Sequence, residues 1–271
     1  MIKDLLEVFK SNIKALEILA LLNDIKPAGR ILVKENEIRG VVDFLEKKGL
    51  ICLKSNFKML KTDSGPYSDK GEKVKSDDSR KGYFILYLGR EKEIVEKLKS
   101  LEGENKHYEL GLTLGYPECC CKFFSDKFNE NETDLTYRTL RNSEGKVFDF
   151  HINNAMRHFD IALIFHFPCS YQCEKSIEIA KQNLKLLQGN GGELFRVFSG
   201  MLKGGIIYTS SNVILLRNAK ILEKKLYYEG LMALKNNAMY QQLKNSKYIL
   251  VKESGFRVKN IDYSSNLMLF I

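Results

Sequence analysis

Apolar residues recur at helical spacing from the start of the chain, at Ile2, Leu5, Leu6, Phe9, Ile13, Leu16, Ile18 and Leu19, and predict one or two helices over residues 2–21. A second helix is read over residues 35–49, stopping at Gly49. A short strand with Ile51 and Leu53 and a turn at Ser55-Asn56 follow it, so residues 1–62 read as a helical or winged-helix-like part. Residues 63–82 are polar and glycine-rich and predict a loop or linker.

Apolar "YFILYLGR", Tyr83 to Arg90, predicts a buried strand, and residues 91–104 predict a helix with Ile94, Val95, Leu98 and Leu101 on one face. Helical spacing continues through 107–115 and again through 151–167, and a further helix over 174–188 stops at the glycines of "GNGG". Residues 204–218 read as a hairpin turning at Ser210 to Asn212, and 248–260 and 266–271 supply more strands, with one helix near Tyr227 to Leu243. The pattern is α+β: a helical N-terminal part, a central α/β segment over 83–190, and a strand-rich C-terminal part over 191–271 packed on it.

Composition narrows the class without changing the fold. With 44% hydrophobic and 11% aromatic residues in 271 the chain is long and apolar enough for a real core. No charge-free apolar run is long enough to cross a bilayer, and the first residues lack a signal-peptide core, so the sequence predicts a cytoplasmic protein with no membrane partner. A formal charge of +9 admits RNA as a partner, although the basic residues are spread along the whole chain. Neither a phosphate-binding glycine loop nor a His-Glu-x-x-His or Gly-x-Ser-x-Gly motif is present.

The chemistry lies in the cysteines. Five of the six fall in "GYPECCCKFF" (Gly115 to Phe124) and "HFPCSYQC" (His166 to Cys173). In a reducing compartment such clusters indicate metal ligands or reactive thiols rather than disulfides. Pro117 predicts a helix start that places Glu118, Cys119, Cys120 and Cys121 in the first turn, and Ser170 is read as the N-cap of the later helix, with Cys169 just outside and Cys173 in its first turn. Helix N-termini favour thiolates, so two of them facing one another suit an iron-sulfur cluster or a zinc ion. Neighbouring helical residues point about 100° apart, which favours separate irons of a cluster over one zinc. Cys52, in an apolar strand, and Cys121, three residues from Phe124, read as packed thiols.

"LGYPECC" followed by "HFPCSYQCEKS" resembles an uncharacterised, mainly archaeal family of unknown function that pairs a Gly-Tyr-Pro-x-Cys-Cys motif with a later Pro-Cys-Ser-x-x-Cys motif. That resemblance implies that Cys119, Cys120, Cys169 and Cys173 carry the site and that Cys121 is extra; it implies no reaction. His166, three residues before Cys169, and Glu118 are the candidate proton-transfer groups; His151, His158 and Asn154 would share one side of a helix. Three functions follow: a metal or iron-sulfur protein supporting sulfur-transfer or redox chemistry, a non-enzymatic RNA- or protein-binding module with a structural zinc, and a metal-free thiol enzyme using Cys120 or Cys173.

Overall fold

The computed structural model describes residues 1–61, 71–129 and 134–271. The chain opens with helices α1 (Ile2–Phe9) and α2 (Asn12–Leu22), then runs through β1 (Ala28–Lys34), α3 (Ile38–Glu46), β2 (Ile51–Lys54), β3 (Phe57–Lys61), β4 (Gly71–Lys75) and β5 (Tyr83–Gly89). Buried on nearly every residue, β5 is the spine of the first sheet. It pairs antiparallel with β1 along one edge, from Ala28 opposite Gly89 to Lys34 opposite Tyr83, and with β2 and then β3 along the other.

Three readings change here. Strand β1 was not anticipated, because Ile31-Leu32-Val33 between charged residues is too short a run for periodicity to classify. The turn read at Ser55-Asn56 does not join β2 and β3 into a hairpin: both add to β5, and Ser55 bridges them by donating its N–H to the Ile85 carbonyl at 2.9 Å while its Oγ accepts from the Ile85 N–H at 3.1 Å. Residues 71–75 of the expected loop are strand β4, paired with β3; residues 62–70 lie outside the described part. Since β5 follows the polar segment and pairs with β1, β2 and β3 that precede it, the first sheet spans that segment.

Next come α4 (Lys92–Gly103), α5 (His107–Thr113), α6 (Glu118–Lys127), α7 (Thr136–Arg141) and the short β6 (Val147–Phe148). Helices α4 and α5 cover one face of the first sheet through Val95, Leu98, Leu101 and Leu110. Leu16, Leu19 and Leu45 on its other face join a larger core with Cys120, Met156, Leu163, Leu187 and Phe198. The N-terminal helices therefore pack directly on the cysteine segments.

In place of the helix expected over 151–167 the chain makes two short 3-10 turns, Phe150–Ile152 and Asn154–Phe159, and then runs irregularly to Cys173. The apolar run Ile161 to Ile164 is buried on all sides, so its spacing carries no helical information. Side chains satisfy the backbone that a helix would have satisfied: Asn183 Nδ2 donates to the Leu163 carbonyl, Thr139 Oγ1 to that of Pro168 and Asn142 Nδ2 to that of Cys169, while Tyr171 N–H donates to Ser143 Oγ. Asp160, at positive φ, reaches back to cap α2, accepting from Ser11 Oγ at 2.7 Å and from the amides of Asn12 and Ile13.

Helix α8 (Glu174–Asn190) is followed at once by α9 (Gly192–Met201), so the glycines expected to stop the helix mark a corner between two. The remainder is strand-rich, with β7 (Gly204–Tyr208), β8 (Val213–Arg217), β9 (Lys220–Leu222), β10 (Lys225–Tyr227), β11 (Gly230–Ala233), α10 (Ala238–Lys244), β12 (Tyr248–Val251), β13 (Phe256–Val258), β14 (Ile261–Tyr263) and β15 (Asn266–Phe270). The 204–218 hairpin forms as expected, Tyr208 opposite Val213. Two five-stranded sheets result, ordered β11-β8-β7-β15-β6 and β14-β13-β12-β10-β9, with Ile207, Leu216, Leu226, Ile249 and Phe256 in one cluster. Parallel pairing of β15 with β6 fastens the C-terminal part to the central segment. The fold is α+β. Among the described residues no helix is long and apolar enough to cross a membrane.

Candidate metal centre

The first cysteine motif follows from backbone chemistry. Gly115, at φ 81°, ends α5: its N–H donates to the Leu112 carbonyl and the Tyr116 N–H to that of Gly111, both at 3.0 Å, a Schellman ending that needs a left-handed residue. A Cβ at Gly115 would also stand 2.6 Å from Pro27 Cδ. Pro117 then begins the next helix as its N-cap, and its carbonyl accepts from the amides of Cys120 and Cys121. Leu-Gly-Tyr-Pro is thus a tight helix-to-helix corner that puts Cys119 and Cys120 in the first turn of α6.

The second motif departs from its expected geometry by three residues. Cys173 itself is the N-cap of α8, and Ser170 sits in the preceding loop, its Oγ accepting from the Gln172 N–H. Cys169 lies in the same loop, positioned by Asn142 and by its own N–H, which donates to Cys120 Sγ at 3.3 Å. Both helix N-termini still point at the cysteines, with about half a positive charge at each.

The sulfurs of Cys119, Cys120, Cys169 and Cys173 all lie within 4.8 Å of one another. Cys120 to Cys173 is 3.6 Å, Cys119 to Cys173 3.7 Å and Cys119 to Cys120 3.9 Å. Cys120 and Cys173 are buried, Cys169 is half-buried and Cys119 is exposed, so the group is shielded on one side and open at Cys119. Four soft donors at this spacing are compatible with a metal site.

Ser176, which sequence reasoning passed over although it lies three residues beyond Cys173 on the same helical face, ties the group together. Its Oγ donates to Cys173 Sγ at 3.4 Å and stands 3.3 Å from Cys120 Sγ, and it is 2.8 Å from His166 Nε2. Of the expected proton-transfer groups, His166 therefore reaches the cysteines through Ser176. Burial, aided by the Lys26 charge, pushes His166 down to about 3. Glu118 is exposed and accepts from the Tyr108 hydroxyl at 3.1 Å. His151 and His158 do not share a helical face: the first pairs with Asp149 at 2.6 Å and the second with the Tyr208 hydroxyl at 3.2 Å.

Among the thiols the hydrogen bond from Cys120 holds Cys173 well below the ordinary thiol range, and the same bond, with burial, pushes Cys120 up. Burial and the neighbouring cysteines push Cys169 up to about 12.

Cys121 is turned away. Its Sγ donates to the Tyr116 carbonyl at 3.6 Å and fills the space over Gly111, where a Cβ would meet it at 2.7 Å. Burial pushes it up to about 11, and Cys52 to about 12. Cys121→Ser and Cys52→Ser should therefore leave bound metal per chain unchanged while costing about 1 to 3 kcal/mol from burying a hydroxyl. Elemental analysis beside a denaturant melt checks both.

The low His166 value sets the sign of a pH dependence. A histidine kept neutral by the fold is protonated only after unfolding, so its contribution is complete above about pH 6.5 and is lost as pH falls toward 3. Between pH 6 and pH 5 it should cost about 1 kcal/mol. Stability curves of the protein and of His166→Gln should converge by that amount; parallel curves would contradict the neutral, buried assignment.

Beside the cysteines opens a cleft of about 1500 Å³, lined among others by Cys120, His166 and Phe167 on one side and by Asn154, Arg157 and Tyr208 on the other. Asp134 holds a network there that sequence reasoning also missed: it pairs with Arg157 at 2.6 Å and accepts from the Tyr208 hydroxyl. No protein-family model, no curated protein and no solved structure matches this chain, so the geometry carries the functional reading alone.

Proposed function

We propose that Cys119, Cys120, Cys169 and Cys173 hold a single metal ion, zinc first, in a closed structural site, and that the protein is a non-enzymatic binding module fastened by that metal. The observation behind this reading is the sulfur spacing. Zinc–thiolate bonds of about 2.3 Å in a tetrahedron set sulfurs about 3.8 Å apart. Three of the pairs here are 3.6, 3.7 and 3.9 Å apart. An iron-sulfur cluster spreads its cysteines wider, because each thiolate extends outward from a different iron. Adjacent Cys119 and Cys120 can share one ion because they occupy the first turn of α6, ahead of its regular hydrogen bonding.

The residues around the sulfurs suit a tetrathiolate ion of net negative charge. The Cys169 amide and the Ser176 hydroxyl donate to sulfur, and two helix N-termini face the group. With four protein ligands the ion keeps no open position, which supports a structural role over a catalytic one. What the ion would fasten is the wall of the cleft, since Cys120 and His166 line it.

The test is metal and acid-labile sulfide per chain in protein purified without oxygen. One zinc, no sulfide and no visible absorbance is the expected result. Iron with sulfide and colour would replace this reading with an iron-sulfur protein for redox or sulfur-transfer work. A metal-free protein whose Cys173 alkylates rapidly at neutral pH would replace it with a thiol enzyme, which the low Cys173 value favours as the second reading.

A further inference from the structure

The cleft wall carries a row of flat rings. Phe128 and Phe124 stack at 4.8 Å with planes 17° apart, Phe124 and Phe167 lie at 6.3 Å and 20°, and the Arg157 guanidinium sits 4.6 Å over Phe167. All three phenylalanines line the cleft and are half-buried, so part of each ring stays open to it. Near-parallel open rings offer a stacking surface to a planar molecule rather than a socket for an aliphatic one.

The described charges at the cleft balance, which gives a phosphate no net attraction. The charged residues lining the cleft are Arg30, Lys73 and Arg157 against Glu72, Glu102 and Asp134, and the cations are engaged: Arg30 by Glu102, Arg157 by Asp134, Lys73 by Asn105 and the ring of Phe57. Among the described residues, Arg30 and Arg157 are held by carboxylates and exposed Lys73 meets neutral groups, so the cleft offers an anion no net excess of positive charge. The overall charge of +9 therefore does not describe this surface.

Two buried polar atoms at the cleft lack partners among the described residues: Asn154 Nδ2 and His166 Nδ1. The Tyr171 hydroxyl donates to Asn154 Oδ1, which fixes the amide with its N–H₂ as the unmet donor. Ser176 spends its one proton on Cys173, so His166 Nε2 must carry the hydrogen between them, and Nδ1 is left as an acceptor. One donor and one acceptor call for the reverse pair on a ligand, which the edge of a nucleobase supplies and a plain aromatic ring does not. Neither atom is open to solvent, so an occupant reaches them by pressing aside the half-buried rings of the wall, Tyr116 over His166 first, at 4.9 Å.

We propose that this cleft binds a neutral, planar nitrogen heterocycle of the nucleobase type, stacked on Phe124 and Phe167 and hydrogen-bonded by Asn154 and His166. The site deepens the reading of the protein as a binding module and is independent of which metal the cysteines hold. Failure of metal binding would leave the cleft intact as a claim, because calorimetry reads it separately.

The experiment is isothermal titration of the full chain, as purified, with adenosine, guanosine, cytidine and uridine, and with adenosine monophosphate and benzyl alcohol as comparisons. At least one nucleoside should bind, adenosine monophosphate should bind no tighter than adenosine, and benzyl alcohol should bind more weakly than the best nucleoside. Phe124→Leu, which keeps an apolar side chain at this half-buried position, should weaken that nucleoside about tenfold at unchanged metal content. His166→Gln, which cannot keep both the Ser176 contact and the Nδ1 acceptor, should weaken it as well. No nucleoside binding at about 1 mM would overturn the proposal, since a stacked and hydrogen-bonded base should exceed that affinity. Equal binding of benzyl alcohol, a clear preference for the phosphate, or an unaffected Phe124→Leu variant would each overturn it too.

Discussion

If the proposed four-cysteine centre holds a metal, stripping it should lower the unfolding free energy by about 5 kcal/mol or more, the largest single loss expected for this chain. An ion held by α6, the 169 loop and the start of α8 closes a segment of about fifty residues between Cys120 and Cys169, so its binding free energy is also folding free energy. Without it, thiols at 3.6 to 3.9 Å keep only weak sulfur contacts. Cys120→Ser and Cys173→Ser should abolish binding, because both are buried and each touches the other, Cys119 and Ser176. Cys119→Ser, at the exposed edge where water can substitute, should weaken binding but retain part of it. Metal per chain and thermal melts with and without a chelator read all three. A melt that ignores the chelator, or a Cys173→Ser protein with full metal content, would sink the centre.

The placement of Cys119 and Cys120 was legible in the sequence because its causes are local. Proline at a helix start and glycine at a helix end act over a few residues, and they put Cys119 and Cys120 at the beginning of α6 whatever the rest of the chain does. The second motif was legible only to within a turn. Ser170 is as good a cap as any, yet the buried loop that Thr139, Asn142 and Ser143 hold in place delays the helix to Glu174. The same cause hid the irregular path of 160–173, where apolar burial on every side imitates helical spacing. Strand β1 and the Asp134, Arg157 and Tyr208 network depend on partners more than fifty residues away or on single polar residues with no periodicity, and no local signal reports them. The α+β class survived these errors because helices and strands were misplaced by segments, not exchanged wholesale.

Lys26→Met should cost about 3 to 5 kcal/mol, although the change is from a polar to an apolar side chain in an apolar place. Lys26 is 8% exposed and Glu17, on α2, is 1% exposed; Nζ stands 2.5 Å from Glu17 Oε1, while Glu17 Oε2 has no partner among the described residues. Methionine would leave that carboxylate buried with no counter-ion, and the desolvation it suffers would no longer be offset. The loss also reaches the candidate site. Lys26 lies 5.3 Å from the Tyr116 ring and 4.8 Å from that of Phe165, and the adjoining Pro27 fits against Gly115, so the pair seats the Gly-Tyr-Pro corner on the N-terminal helices. Replacing both partners removes the orphan: Glu17→Leu with Lys26→Met should recover most of the loss and could exceed the parent in stability, because a buried ion pair gains little over well-packed apolar groups. Denaturant unfolding of the two single variants and the double variant closes the cycle. A Lys26→Met protein within about 0.5 kcal/mol of the parent would mean that Glu17 meets water or another donor and that the pair is not the anchor of this corner.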